Sequence, residues 1–361
     1  MGARERELPP RPRVSVIVPF HHNLGHLGRC LAALRSAKSP LGPDMEPAEV
    51  IVVADGAVED ARAVALAGDA RFLPIAGPRG PAVARARGAA AASGELLVFV
   101  DADVSVREHA LARLTSLFVI DPALGAAFGA YDDEPTDQGF FSQCRNLAHS
   151  FIHQRSRREA HTFWAGLGAV RKSVFDAVGG FDERFTHPSV EDIDLGYRIR
   201  QAGFRIVLDP EAQGTHLKHW TLWASVVSDI RDRGVPWTQL LNRYHAMRND
   251  LNLAVHYRWA IVLTYALVLC LVGALVQPVL LLPVLPLVAA LWWSDRPYYR
   301  FFVRRRGLGF ALAWFPFHIL HHFCNGVSFV LGTILYAGRR WAGIALPWTL
   351  PVTPWSARET R

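Results

Sequence analysis

The chain has 361 residues, 51% of them hydrophobic, and its 39 lysines and arginines outnumber 32 aspartates and glutamates, for a formal net charge of +7. That length holds one large or two ordinary domains with a real core, and the apolar fraction is high for a purely soluble enzyme. No RNP, zinc-finger or helix-turn-helix signature accompanies the basic excess, so no nucleic-acid partner is expected, and four scattered cysteines without a CxxC pair exclude a disulfide framework and suit a reducing compartment.

In chain order, residues 1–13 are charged, contain proline and lack the apolar core of a signal peptide. Residues 14–19 then read as a strand stopped by Pro19, residues 27–37 as a helix, and residues 49–56 as a second strand ending in Asp55 and Gly56. Residues 71–74 suggest a third strand. A glycine- and proline-rich turn at 77–81 precedes a small-residue helix through about residue 92, and residues 94–103 form an apolar strand closed by Asp101 and Asp103. This alternation argues for an α/β fold with a parallel, doubly wound sheet. Right-handed crossovers would bring Pro19, Asp55, Asp101 and Asp103 to one crevice at the sheet's carboxyl edge. Residues 131–158 read as a polar connection and a helix, residues 191–202 as a helix, and residues 204–208 as a further strand. Residues 223–256 read as amphipathic helices broken near Gly234 and Trp237.

Residues 260–294 contain no charged side chain, and a second apolar stretch runs over 308–337. Each exceeds the ~20 residues that cross a bilayer as a helix. Arg258 and Trp259 on one side and Trp292 and Trp293 on the other bracket the first stretch as interfacial anchors. Gln277 and Pro278 would turn it into two short helices, returning Arg296, Arg300 and Arg304–Arg306 to an anionic cytoplasmic face. His318, His321 and His322 make the last stretch less lipid-like, which leaves two to three spans. The expected organisation is a tail (1–13), a catalytic domain (14–222), interfacial helices (223–258), a membrane region (259–338) and a C-terminal tail (339–361). The protein would be multi-pass in the cell (inner) membrane, with its catalytic domain in the cytoplasm and membrane lipids as partners.

Three acidic loci carry the chemistry. Two carboxylates one residue apart at the end of a strand, Asp101 and Asp103, suit a hydrated Mg²⁺ or Mn²⁺ and the diphosphate it carries, although an acidic turn explains them equally simply. Asp55 with Gly56 is by itself a turn. Ser189 with Asp192 resembles an N-terminal helix cap, and Asp194 with Arg198 an exposed pair four residues apart.

The pieces VSVIVPF, VIVVADG, GPAVARARGAAAASGELLVFVDAD, FWAGLGAVRKSVFDAVGGFDE and EDIDLGYRIRQAG, in this order over residues 14–203, resemble family 2 glycosyltransferases. The resemblance implies a GT-A, Rossmann-like nucleotide-sugar-binding domain followed by amphipathic and transmembrane helices. It also implies a metal-dependent, inverting transfer from a UDP- or GDP-sugar to a lipid-borne or glycan acceptor. Asp55 would then meet the nucleotide base, although Ala54 stands where relatives carry a second acid. Pro19 and Arg85 would line the donor site, with Ala86 replacing the usual Asn. Asp101 would touch the ribose or support the metal, Asp103 would ligate the metal, and His216 would add a metal or diphosphate contact. Asp192 would be the catalytic base, Trp164, Gly166 and Gly168 would shape the acceptor side, and Glu191 would position the acceptor or Asp192. Arg85 or Lys218 would offset charge on the leaving diphosphate. Residues 233–237 lack the Gln-x-x-Arg-Trp pattern of processive relatives. The competing readings are a non-catalytic nucleotide-binding membrane scaffold and a membrane nucleotidyltransferase.

Overall fold

The computed structural model describes residues 12–38, 49–56, 59–246, 255–346 and 348–355. Two compact units share these residues, and neither is continuous: the first takes 12–137, 157–218 and Trp355, the second 138–156 and 219–354. The catalytic domain was expected to run unbroken over 14–222. The chain interleaves instead because Cys144, Leu147 and Phe151 cluster with Tyr298, Phe302 and Trp314, so the helix that carries them belongs to the second unit.

In the first unit the chain runs β1 (Val14–Phe20), α1 (Leu24–Lys38), β2 (Glu49–Asp55), α2 (Glu59–Ala67), β3 (Arg71–Ile75), α3 (Pro81–Ala91), β4 (Leu96–Val100), β5 (Val104–Val106), α4 (Ala110–Ile120) and β6 (Leu124–Tyr131). After α5 (Phe140–Arg155), which lies in the second unit, come β7 (Glu159–Ala160), β8 (Leu167–Arg171), α6 (Lys172–Ala177), α7 (Glu191–Gln201) and β9 (Arg205–His216). The strands form one sheet in the order β3-β2-β1-β4-β8-β6-β9-β5, with β7 beside β9. Val, Ile and Leu fill β1, β2 and β4 because these strands are covered on both faces, as parallel strands must be.

The parallel expectation holds for β1 to β4 only. Beyond β4 the sheet is mixed: β8 runs antiparallel to both β4 and β6, whereas β6 and β9 are parallel. The inserted β8 is the segment that follows Trp164 and Gly166, so its antiparallel entry delivers those residues to the carboxyl end of β4, where Asp101 N–H donates to Gly166 O at 3.1 Å.

The second unit is helical: α8 (Leu222–Val227), a π-helical turn (Ser228–Gly234), α9 (Val235–Tyr244), α10 (Val255–Gly273), a 3₁₀ turn (Pro278–Leu281), α11 (Val284–Ser294), α12 (Arg296–Arg306) and α13 (Leu308–Ala342). The break expected near Gly234 does not occur. Gly234 keeps helical angles (φ −64°) and Pro236 sits in the first turn of α9, where no N–H is needed. A Cβ on Gly234 would lie 2.4 Å from Ser328 Oγ, so its glycine permits close approach of α13.

The helices α10, with 19 residues, and α13, with 35, are long and apolar enough to cross a membrane; the segments Pro278–Ser294 and Arg296–Arg306, bent by 73°, would make a third span if they act as one. The expected turn at Gln277 and Pro278 lies between α10 and α11, and α10 is by itself long enough to span.

Candidate active site

All of the acidic loci lie in the first unit. Asp55 ends β2 and is buried. Its Oδ1 accepts from Arg79 N–H at 2.8 Å and its Oδ2 from Gly80 N–H at 2.7 Å, so the carboxylate organises the loop that opens α3. His21 Nδ1 lies 2.8 Å from Asp55 O, tying the end of β1 to the same corner. Pro19 occupies the next-to-last position of β1, half-buried and in register with Val53.

Strand β4 stops at Val100, so Asp101 and Asp103 sit on the tight turn into β5 and not on a shared strand face. They also face different partners. Asp101 Oδ1 accepts from Arg85 Nη2 at 2.6 Å, and Arg85 Nη1 donates to Glu191 Oε1 at 2.7 Å. Arg85, packed against the Phe181 ring, thereby clamps the end of β4 to the start of α7. Burial opposes its charge, but Asp101, Glu191 and Asp192 together outweigh that and hold the guanidinium above its ordinary pKa.

Asp103 turns toward β9. Its Oδ2 lies 3.5 Å from His216 Nε2, and its backbone carbonyl accepts from Leu217 N–H at 2.8 Å. Burial pushes this carboxyl up, but His216 first, then Lys218 and His26, more than offset it and hold the pKa at about 2. His216 is fixed in turn by Tyr131, whose ring stacks on it at 4.4 Å, and Tyr131 meets Trp164 edge-on at 4.6 Å. An ionised carboxylate oxygen and an imidazole nitrogen at this spacing, on a half-open edge, suit a divalent cation that completes its shell with phosphate oxygens.

Asp192, in the first turn of α7, is half-buried. Its Oδ2 accepts from Ala165 N–H at 3.1 Å and its Oδ1 from Ile193 N–H at 2.8 Å, so the peptide between Trp164 and Gly166 orients it. Trp164 lies over Gly166: a Cβ there would come within 2.4 Å of Trp164 Cζ2. Glu191, expected to position the acceptor or Asp192, is turned inward and buried. Both of its oxygens are engaged, Oε1 by Arg85 and Oε2 by Ser189 N–H at 2.9 Å, so it holds the start of α7 in place.

Two other sequence expectations differ from the structure. The first residue before α7 is Val190, with no side-chain cap of its own, and the backbone N–H of Ser189 donates to Glu191 Oε2. Asp194 and Arg198 are not exposed: they pair at 2.8 Å in the interior, where Arg198 also donates to Val178 O and Gly180 O. Helical spacing identified the partners but carries no information about which face is covered. Tyr131 and His26 were missed altogether, since nothing in the linear sequence links them to Asp103 or His216.

Comparison with known proteins identifies the family. Residues 15–179 match the family model described as Glycosyl transferase family 2, and residues 145–220 one described as N-terminal domain of galactosyltransferase. The chain carries a family 2 glycosyltransferase domain. The pre-mycofactocin glycosyltransferase of Mycobacterium tuberculosis is 30% identical over 219 residues, 58% of this chain and 43% of that protein. The validoxylamine A glucosyltransferase of Streptomyces hygroscopicus subsp. jinggangensis is 26% identical over 283 residues, 69% of this chain and 64% of its own. The matched region thus spans less than two thirds of either relative's length. Among solved structures, the mannosyltransferase PcManGT from Pyrobaculum calidifontis, in complex with GDP-Man and Mn²⁺, superposes with a TM-score of 0.52 at 16% identity, covering 94% of this chain and 90% of that one. That likeness is one of fold, and it extends over the helical unit as well as the glycosyltransferase domain.

Proposed function

We propose that the protein transfers a glycosyl group from a nucleotide sugar, with inversion, to a lipid-borne or glycan hydroxyl at the cytoplasmic face of a membrane. The observation that carries this reading is the placement of Asp192: a carboxylate aimed by a backbone N–H, on the helix that Arg85 ties to the Asp101 turn. Asp192 would accept the proton of the acceptor hydroxyl as that oxygen bonds to the anomeric carbon and the bond to the nucleoside diphosphate breaks. One displacement inverts the anomeric centre, and the proton ends on Asp192.

Asp103 Oδ2 and His216 Nε2 would hold a divalent cation, Mg²⁺ or Mn²⁺, which when bound supplies charge neutralisation on the diphosphate. The donor set fits: one hard, ionised oxygen and one imidazole nitrogen, fixed by Tyr131 and leaving room for phosphate oxygens. Asp101 is neutralised by Arg85 and is the weaker ligand, so its part is to present the turn. Asp55 would meet the base through the loop it shapes, and Lys218, exposed beyond His216, would approach the leaving group. Glu191 acts through Asp192 and Arg85, while Trp164 and Gly166 border the acceptor side.

Exposed apolar side chains along α10 and α13, among them Trp259, Leu269, Val330 and Ile334, support hydrocarbon contact and hence the membrane reading. Arginines at 304–306, ending α12, agree with a cytoplasmic, anionic lipid face.

The test is nucleoside diphosphate release by the detergent-solubilised chain. UDP-, GDP- and dTDP-sugars would be offered with Mg²⁺ or Mn²⁺, with and without a membrane-lipid extract. Lipid-stimulated release from one donor, lost in Asp192→Asn, supports transfer and names the donor. Pyrophosphate as the product would instead make the protein a nucleotidyltransferase.

A further inference from the structure

Three buried side chains of the helical unit converge on a point that the transfer reaction does not use. His318 and His322 stand four residues apart on α13 and so share one helix face. Asp295 sits at the corner between α11 and α12. Its Oδ2 lies 3.1 Å from His322 Nε2 and 4.0 Å from His318 Nδ1. Tyr299 Oη, one turn into α12, is 2.7 Å from the same His318 nitrogen. Asp295, His318 and His322 are exposed by only 2%, 4% and 2%.

Hydrogen bonding alone does not complete this cluster. Among the described residues, Asp295 Oδ1 and His322 Nδ1 have no partner, and no lysine or arginine reaches Asp295. A carboxylate so far from water, with no lysine or arginine beside it, is costly unless a positive charge joins it. One shared proton would satisfy the shorter contact to His322. It does not reach His318, 4.0 Å away, whose Nδ1 is met instead by Tyr299 Oη at 2.7 Å. Both distances are natural for ligands of one ion: bonds of about 2.0–2.1 Å in a tetrahedral site separate the ligand atoms by roughly 3.3 Å, and 3.1 and 4.0 Å bracket that value.

We propose that Asp295, His318 and His322 form a structural zinc site, with Tyr299 Oη completing the donor set. Two imidazoles and a carboxylate in a closed setting are borderline donors that suit Zn²⁺, whereas Mg²⁺ demands oxygen and retained water. The ion binds by coordination alone, displacing any proton from the imidazole nitrogens, and it pins the α11–α12 corner to the middle of α13. It is distinct from the cation expected at Asp103 and His216, which lie in the other unit.

The experiment uses the full chain in detergent, stripped with chelator and reloaded with Zn²⁺ alone or Co²⁺ alone. Metal is counted per chain after gel filtration. We expect a single Zn²⁺ retained by the unmodified chain and by Asp103→Ala, and its loss in His318→Ala/His322→Ala. The Co²⁺-loaded chain should show the intense visible bands of four-coordinate cobalt, unchanged in Asp103→Ala, a readout on folded protein that survives even if the double variant does not fold. No retained Zn²⁺ in the unmodified chain, retention unaffected by the double substitution, or loss of metal and cobalt bands in Asp103→Ala would each overturn the proposal.

Discussion

The two units each bring histidine to aspartate, and they do so in opposite surroundings. In the glycosyltransferase unit the Asp103 side chain is 31% exposed beside His216, with Lys218 and His26 close enough to lower its pKa. In the helical unit the Asp295 side chain is 1% exposed, its imidazoles are 5% and 3% exposed, and no basic side chain reaches it among the described residues. An open pair with spare coordination positions can exchange a metal-bound diphosphate at every turnover. A closed, buried cluster suits an ion that stays, as proposed above. The same residue types would therefore serve exchange or permanence according to burial and to the charge around them.

The largest expected effect falls on the open side. Asp192→Asn keeps the carbonyl oxygen that accepts from Ala165 N–H but removes the base, so transfer should fall by about 10²–10⁴-fold with donor affinity unchanged. Nucleoside diphosphate release and titration of the donor separate the two quantities. Normal transfer by this variant would remove Asp192 from the mechanism.

Arg85→Met tests whether the open site depends on a closed foundation. It leaves Glu191, with a side chain 5% exposed, without its guanidinium, and breaking a buried pair in this way costs about 3–5 kcal/mol. Asp101 is 28% exposed and water compensates it in part, so the loss should fall mainly on the Glu191 arm. Denaturant unfolding of Arg85→Met, Glu191→Gln and the double variant should give a strong coupling energy. Simple additivity would show that the clamp carries no stability.

His216→Ala should be milder. It removes one proposed ligand and leaves Asp103, and a fall in Mn²⁺ affinity of about 10–100-fold is expected, the range that loss of even an outer partner produces. Zn²⁺ content of the helical unit should not change. If both metals were lost together, the two clusters would not be independent.

The contrast between the units also explains what the sequence disclosed. Strands β1, β2 and β4 announced themselves because burial on both faces forces runs of Val, Ile and Leu, and their ends carried Asp55, Asp101 and Asp103. The Arg85 clamp was invisible, since its partners lie 16 and 106 residues away. So was the stacking of Tyr131 on His216, which depends on strand β6 lying beside β9. In the helical unit the three histidines of α13 were noticed only as interruptions of an apolar run. Asp295 marked the end of a charge-free stretch, and hydropathy does not reveal that the chain folds back to bring the two together. Local pattern reports which residues are buried, whereas partners brought together by the fold need the structure.

The smallest effect tests how firmly the open site is braced. A methyl group at residue 166 would lie 2.4 Å from Trp164 Cζ2, so Gly166→Ala must displace the indole that rests against Tyr131, the ring stacked on His216. Overpacking of this kind costs about 1–3 kcal/mol, and transfer should weaken through the shifted Tyr131 and through the Gly166 carbonyl that accepts from Asp101 N–H. Trp164→Ala removes the atoms that collide. The double variant should therefore lose less stability than the sum of the two single changes, because the methyl group then enters space the indole has left. Additive losses would mean that the backbone at residue 166, and not the indole, resists the methyl group. In that case Trp164 would be free to serve the acceptor alone.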